Sequence, residues 1–364
     1  MMTDFNCIAT GIGSLPVTDA DQAAALSLRW LPEAPIWPQL PQRSFHEHMD
    51  GQYSESLPGI VVDEKKQRFS FDTSRDLTPE LERFFERYLA GDRSFFRISE
   101  DYAAGFYGFL RALRKGLPTG ARFLKGHITG PLTAGISFKD ETGRDIIHNE
   151  MVFDAVVKGL AMKAAWQIET FREFGLPVII FIDEPAMESL GSAFSAASPE
   201  MVAGKLDEII GTIHELGGSA GIHCCGNADW PLIFNTKVDI VNFDAFGYAE
   251  KVLLYPDDIR KFYARGGSLA WGIVPTGAFT GDETADGLLQ KLEASMLRLV
   301  QAGIDRRTIL RRALITPSCG MGSLTPDKAE AILRLTREVS DRMQKKILDT
   351  ETGGRGDTGI TTRT

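Results

Sequence analysis

Three side chains able to bind a metal fall within three residues in the stretch Gly221-Ile222-His223-Cys224-Cys225-Gly226-Asn227. A further cysteine, Cys319, lies far downstream in Ile315-Thr316-Pro317-Ser318-Cys319-Gly320. Ser219 to Ile222 reads as a short strand, and residues two apart on an extended chain project to the same side. His223 and Cys225 can therefore grip one ion while Cys224 points the other way. An imidazole and two thiolates form a borderline-soft set that suits Zn²⁺, and three protein ligands leave a position for water, a further ligand or a substrate atom. The expected ion is a catalytic zinc. His-x-Cys alone is a weak signal, because a Cys-Cys pair ending a buried strand is often only a small hydrophobe. Cys319, also placed just beyond a predicted strand, favours the metal reading.

Eight strands are expected to position these groups: Phe5 to Gly11, Pro35 to Leu40, Ala121 to Thr129, Pro177 to Ile182, Ser219 to Ile222, Val238 to Phe243, Ser268 to Val274 and Arg312 to Thr316. The nearly unbroken Val/Ile/Phe run after Pro177 is of the kind found in strands buried on both faces. Helical periodicity fills most intervals, with starts at Thr78-Pro79, Ser198-Pro199-Glu200 and Thr325-Pro326-Asp327 and a stop at Gly217-Gly218. Two short apolar runs around Asp63-Glu64-Lys65-Lys66 read as a hairpin excursion over residues 60–72. Alternating strands and helices predict an α/β fold, a single (β/α)8 TIM barrel over residues 1–348. Residues 349–364, rich in Gly, Thr and charge, are expected to be a disordered tail. Ser14, Thr129, Asp183, His223, Cys225, Asp244 and Cys319 all fall at or just beyond the C-terminal ends of these strands, where such barrels place active sites.

Composition narrows the partners. The 364 residues are 43% hydrophobic and carry a formal net charge of −9, which argues against nucleic acid or an anionic membrane as the main partner. No apolar run approaches the ~20 residues needed to span a bilayer. Four cysteines, two of them adjacent, make a poor disulfide framework. No charged n-region with an apolar h-region opens the chain, so a cytoplasmic protein is expected.

Other motifs keep two readings each. Thr10-Gly11-Ile12-Gly13-Ser14-Leu15-Pro16 is either a plain βα turn or a set of backbone donors for a carboxylate or phosphate. His46 and His48 read as part of a polar helix or loop over the barrel mouth. Asp183-Glu184-Pro185 is either a capped turn or a pair of carboxylates for substrate, and Thr129 to Thr133 either lines a pocket or turns strand into helix.

Taken together, these motifs resemble the C-terminal catalytic barrel of cobalamin-independent methionine synthase. The matching stretches are Thr10 to Pro16, Lys125-Gly126-His127-Ile128-Thr129-Gly130-Pro131-Leu132-Thr133, Ile182 to Ala186, His223-x-Cys225 and Pro317-Ser318-Cys319-Gly320. The resemblance implies zinc on His223, Cys225 and Cys319, with Asp244 as fourth ligand where the family has Glu. It implies a homocysteine carboxylate on the Ile12-Gly13-Ser14 backbone and its ammonium on Asp183, supported by Glu184. Glu188 would stand, by a one-residue shift, for the family's second acidic residue, and Thr129 would help line the pocket. A family histidine beyond the seventh strand is replaced around Gly272-Ile273-Val274, and the family's N-terminal half has no counterpart. Both departures tilt the expected methyl donor from methyl-folate toward a methylated corrinoid, whose leaving group needs no proton.

The expected function is thus zinc-dependent methyl transfer to the thiol of homocysteine, making methionine. A free thiol near pKa ~8.5 is only a few per cent ionised at neutral pH, and coordination removes its proton. The alternatives are a methylcorrinoid-to-other-thiol methyltransferase, a uroporphyrinogen decarboxylase-like protein and a non-catalytic zinc-binding module.

Overall fold

The computed structural model describes residues 4–190 and 197–353. Its strands are β1 (Ile8–Ala9), β2 (Ile60–Asp63), β3 (Arg68–Phe71), β4 (Leu124–Thr129), β5 (Val178–Asp183), β6 (Ser219–Cys224), β7 (Ile240–Phe243), β8 (Ser268–Val274) and β9 (Ala313–Pro317). Seven of these form one curled parallel sheet in the order β1-β9-β8-β7-β6-β5-β4, and β2 pairs with β3 as an antiparallel hairpin. Every residue of β4, β5, β7, β8 and β9 is buried, as a sheet covered on both faces requires.

The eighth expected strand, Pro35 to Leu40, does not form, and the sheet is not a closed eight-stranded barrel. The segment makes only isolated parallel bridges, Ile36 to Lys125 of β4 and Ser14 to Gln39 beside β1. Pro35, Pro38 and Pro41 carry no N–H, so a continuous ladder is denied its donors. Four backbone bonds still cross the gap, among them Lys125 N–H to Pro35 O at 3.0 Å and Leu15 N–H to Gln39 O at 2.9 Å. The first strand is likewise two residues long rather than Phe5 to Gly11.

Helices pack around the sheet where sequence places caps and apolar faces. Glu150–Phe171 is capped by Asn149, Pro199–Glu215 by Ser198 and Ala285–Gln301 by Thr284, each side chain accepting a backbone N–H of the first turn. Thr78 is not a cap: it is the first residue of Thr78–Leu89, and its own N–H is taken by Asp76. The last helix, Pro326–Gly353, continues past the expected start of the tail at residue 349, while residues 354–364 lie outside the described residues.

Candidate functional site

Adjacent strands deliver the cluster. In the parallel register Asp183 of β5 faces His223 of β6, and His223 faces Asn242 of β7. Alternation along β6 sends Cys224 into the core, fully buried, while Cys225 emerges half-buried just beyond the strand end. Cys319 follows β9 by two residues. The ligand atoms of His223, Cys225 and Cys319 all lie within 4.8 Å of one another.

The donor chemistry of this trio fits a zinc ion. His223 is buried, its Nδ1 lies 2.5 Å from Asn242 Oδ1, and its Nε2 is buried with no hydrogen-bond partner. The Cys319 thiol and then the His223 ring, both close by, hold the Cys225 thiol far below its usual range, making it the readier thiolate of the two. Cys319 is pushed the opposite way by that same contact, because two sulfurs so close share one proton. Burial opposes charging of His223, yet Cys225 and Asp183 hold it above the ordinary range. Two sulfurs and one free imidazole nitrogen are what a cation would complete.

A cavity of about 550 Å³ opens over the trio. Its walls include Ile12, Ser14 and Asp183, together with Gln39 from the segment that spans the gap in the sheet and His48 and Met49 from the loop that follows it. The sequence placed His48 over the mouth but assigned it no part in the site. Asp183 is buried, and burial raises its carboxyl to about 6 against the pull of His223 and Lys125. Its Oδ1 has no partner, nor has Thr129 Oγ1, its register neighbour on β4. Thr129 is fully buried and does not line the cavity.

The turn after β1 is braced from two sides. Lys125 Nζ donates to Ile12 O at 2.6 Å, and Gly322 N–H donates to Ser14 Oγ at 3.1 Å. Gly13 lies against the His127 ring: a Cβ there would stand 3.0 Å from its Cδ2 and Nε2, so glycine permits the approach. This turn and the Cys319 loop meet directly through Met321 N–H to Ser14 O at 3.0 Å.

Three expected residues stand apart from the cluster. The Asp244 carboxylate accepts from Gly247 N–H at 2.7 Å and so closes its own turn; it is not grouped with the three metal-binding atoms. Glu184 is fully buried and accepts from Leu132 N–H at 2.8 Å, Thr133 N–H at 2.9 Å and Thr133 Oγ at 2.6 Å. It therefore caps the helix Pro131–Ser137 rather than facing the cavity, and burial raises its pKa to about 7 despite those bonds. Glu188 is exposed beside Gly226.

Sequence reading missed the groups that brace the site from behind, Asn242 against His223 and Lys125 and His127 against the turn after β1. Asn242 is a lone amide in the apolar strand β7, and Lys125 and His127 sit in buried β4. The signal was available: a polar residue inside a fully apolar strand must find a partner.

No protein-family model matches the chain, and no curated protein sequence matches it. Among solved structures, the chain is similar to a B12-independent methionine synthase from Shewanella sp. W3-18-1 in complex with selenomethionine. The TM-score is 0.56 at 15% identity, covering 94% of this chain and 98% of that one. Others are an L-ribulose 3-epimerase (TM-score 0.44, 13% identity, 84% and 98% covered) and GH5_18 from Streptomyces cattleya in complex with GlcNAc (TM-score 0.49, 11% identity, 93% and 81% covered). At 15% identity the likeness to the methionine synthase is one of fold: the chain has a TIM-barrel-like α/β arrangement.

Proposed function

We propose that this chain is a zinc-dependent methyltransferase that moves a methyl group to the thiol of homocysteine, forming methionine, on a single (β/α)8-type barrel acting in the cytoplasm. The observation that carries the reading is the convergence of His223, Cys225 and Cys319 on the floor of a cavity that Asp183 also lines. Uroporphyrinogen decarboxylase chemistry has no use for two thiols and an imidazole, and a purely structural zinc would be closed by four protein ligands.

Zinc held by His223, Cys225 and Cys319 would supply the acidity that keeps an incoming thiol ionised near neutral pH. The chain's own groups would do the rest. Asp183 pairs with the ammonium of the amino acid, since its unpartnered Oδ1 is an acceptor awaiting a donor. Thr129 Oγ, also without a partner, stands next to it in register. The turn Ile12-Gly13-Ser14 lies across the cavity and takes the carboxylate through backbone N–H groups. Ammonium and carboxylate anchors together fix the side-chain sulfur over the trio, which is the orientation that displacement on a methyl group needs. Asp244 keeps Gly247 N–H on Oδ1, and its other oxygen, water or the substrate sulfur completes the shell. Glu184 acts by holding the helix Pro131–Ser137 against the end of β5. Glu188, its carboxylate beside Gly226 and so next to Cys225, is the second acidic residue offered to the substrate. The methyl donor is a methyl-folate or a methylated corrinoid.

The test is methionine formation by the zinc-loaded protein from homocysteine with methyl-tetrahydrofolate and, separately, with methylcobalamin. Turnover with either donor that is lost on zinc removal supports the reading. No turnover, together with no homocysteine binding by calorimetry, overturns it.

A further inference from the structure

His223 can present only one nitrogen to an ion, and the ring must be both turned and protonated correctly to do so. Its register neighbour Asn242 is fully buried, and Asn242 Oδ1 lies 2.5 Å from His223 Nδ1. The amide is itself fixed: Asn242 Nδ2 donates to Ala270 O at 2.9 Å and to Thr316 Oγ at 2.9 Å. Both partners lie on the next two strands of the sheet, β8 and β9. Ala270 O is a backbone carbonyl and can only accept, so the NH₂ end of the amide must face β8 and β9, leaving Oδ1 for His223. A carbonyl oxygen at that position accepts only from a protonated Nδ1. The bare nitrogen is then Nε2, the ring atom that is buried without a hydrogen-bond partner.

We infer that Asn242 is a positioning residue that locks His223 in the tautomer with Nδ1 protonated and Nε2 free, and so sets the metal affinity of the trio. The inference deepens the zinc reading and rests on it for the affinity, although the ring tautomer can be read without any metal. The chain runs across four strands, Thr316 of β9 and Ala270 of β8 to Asn242 of β7 to His223 of β6, so the ligand inherits the rigidity of the sheet. Outer partners of this kind raise ligand basicity and fix ring orientation, and their loss costs roughly 10- to 100-fold in metal affinity.

Long-range proton–nitrogen spectra of the histidine rings in the metal-free protein at alkaline pH, where the ring is neutral, read the tautomer directly; His223→Gln assigns the signal. The expected result is a protonated Nδ1 in the wild type and in Asn242→Asp, whose carboxylate still accepts, and loss of that preference in Asn242→Leu. Chelator competition should then show zinc held roughly 10- to 100-fold more weakly by Asn242→Leu, at least as tightly by Asn242→Asp, and with a smaller loss in Thr316→Val. A protonated Nε2 in the wild type, or a tautomer and zinc affinity unchanged in Asn242→Leu, overturns the role of Asn242. A wild-type protein that takes up no zinc overturns the metal reading instead, and the tautomer still decides the function of Asn242.

Discussion

Two buried histidines on nearby strands have opposite fates in this molecule. His127 of β4 hydrogen-bonds through Nδ1 to Tyr53 Oη at 2.8 Å, stacks on Trp37 with centroids 4.0 Å apart and backs onto Gly13. Glu184, just past the end of β5, is likewise consumed, by a helix N-terminus. Both rings keep a buried Nε2 without a hydrogen-bond partner, but only His223, with Asp183 beside it, faces a cavity. Burial drives the His127 ring well below its usual pKa, helped by Lys125, whereas Cys225 and Asp183 lift that of His223 despite equal burial. Residue type and depth are alike in both places. What separates a packing histidine from a candidate ligand is whether its neighbours are aromatic rings or sulfurs.

Substitutions can break this contrast, and the largest effect belongs to the sulfurs. Cys225→Ala or Cys319→Ala should take bound zinc from about one per chain to almost none by elemental analysis, while Cys224→Ala, its side chain in the core, should keep it. Equal loss in all three would refute the alternation of side chains along β6. On the sealed side, His127→Ala should leave zinc stoichiometry intact but lower unfolding free energy by ~3–4 kcal/mol in denaturant titration, the cost of emptying a packed aromatic site. Zinc loss there would erase the distinction between the histidines.

Glu184 sharpens the comparison through pH. Its pKa rises on folding from 4.5 to about 7, so the folded state holds its proton longer than the unfolded chain does. The stability it contributes is therefore complete below pH 4.5 and falls as pH rises through about 7. Relative to Glu184→Gln, the wild type should lose ~3 kcal/mol across that interval in unfolding curves taken at stepped pH. A difference independent of pH would show that Glu184 is not held as the buried cap. The smallest effect is expected at the cavity: Asp183→Asn should weaken homocysteine binding by ~2 kcal/mol in calorimetry, the worth of one hydrogen bond to a charged group, with zinc retained.

Much of this contrast was legible in the sequence, and the rest was not for definable reasons. The runs Val178–Asp183 and Ser268–Val274 announce buried strands because apolar residues continue without alternation, and His223 and Cys225 follow from strand parity. Pro35 to Leu40 reads as a strand by hydrophobicity, but its prolines deny the ladder, and only the folded chain shows it bridging a gap. Asp244 and Glu184 were drawn toward the site by their position at strand ends. Both oxygens of Glu184, and Oδ1 of Asp244, accept from local N–H groups, which a linear sequence does not reveal. His48 reaches the cavity because a loop returns across the sheet, a long-range event that no spacing encodes.

Zinc-edge X-ray absorption of the loaded protein, before and after homocysteine, tests the central claim most directly. The account predicts two sulfurs at ~2.3 Å with nitrogen or oxygen completing the shell, and a third sulfur when homocysteine is added. A shell without sulfur, or one whose sulfur count does not change with homocysteine, would contradict it.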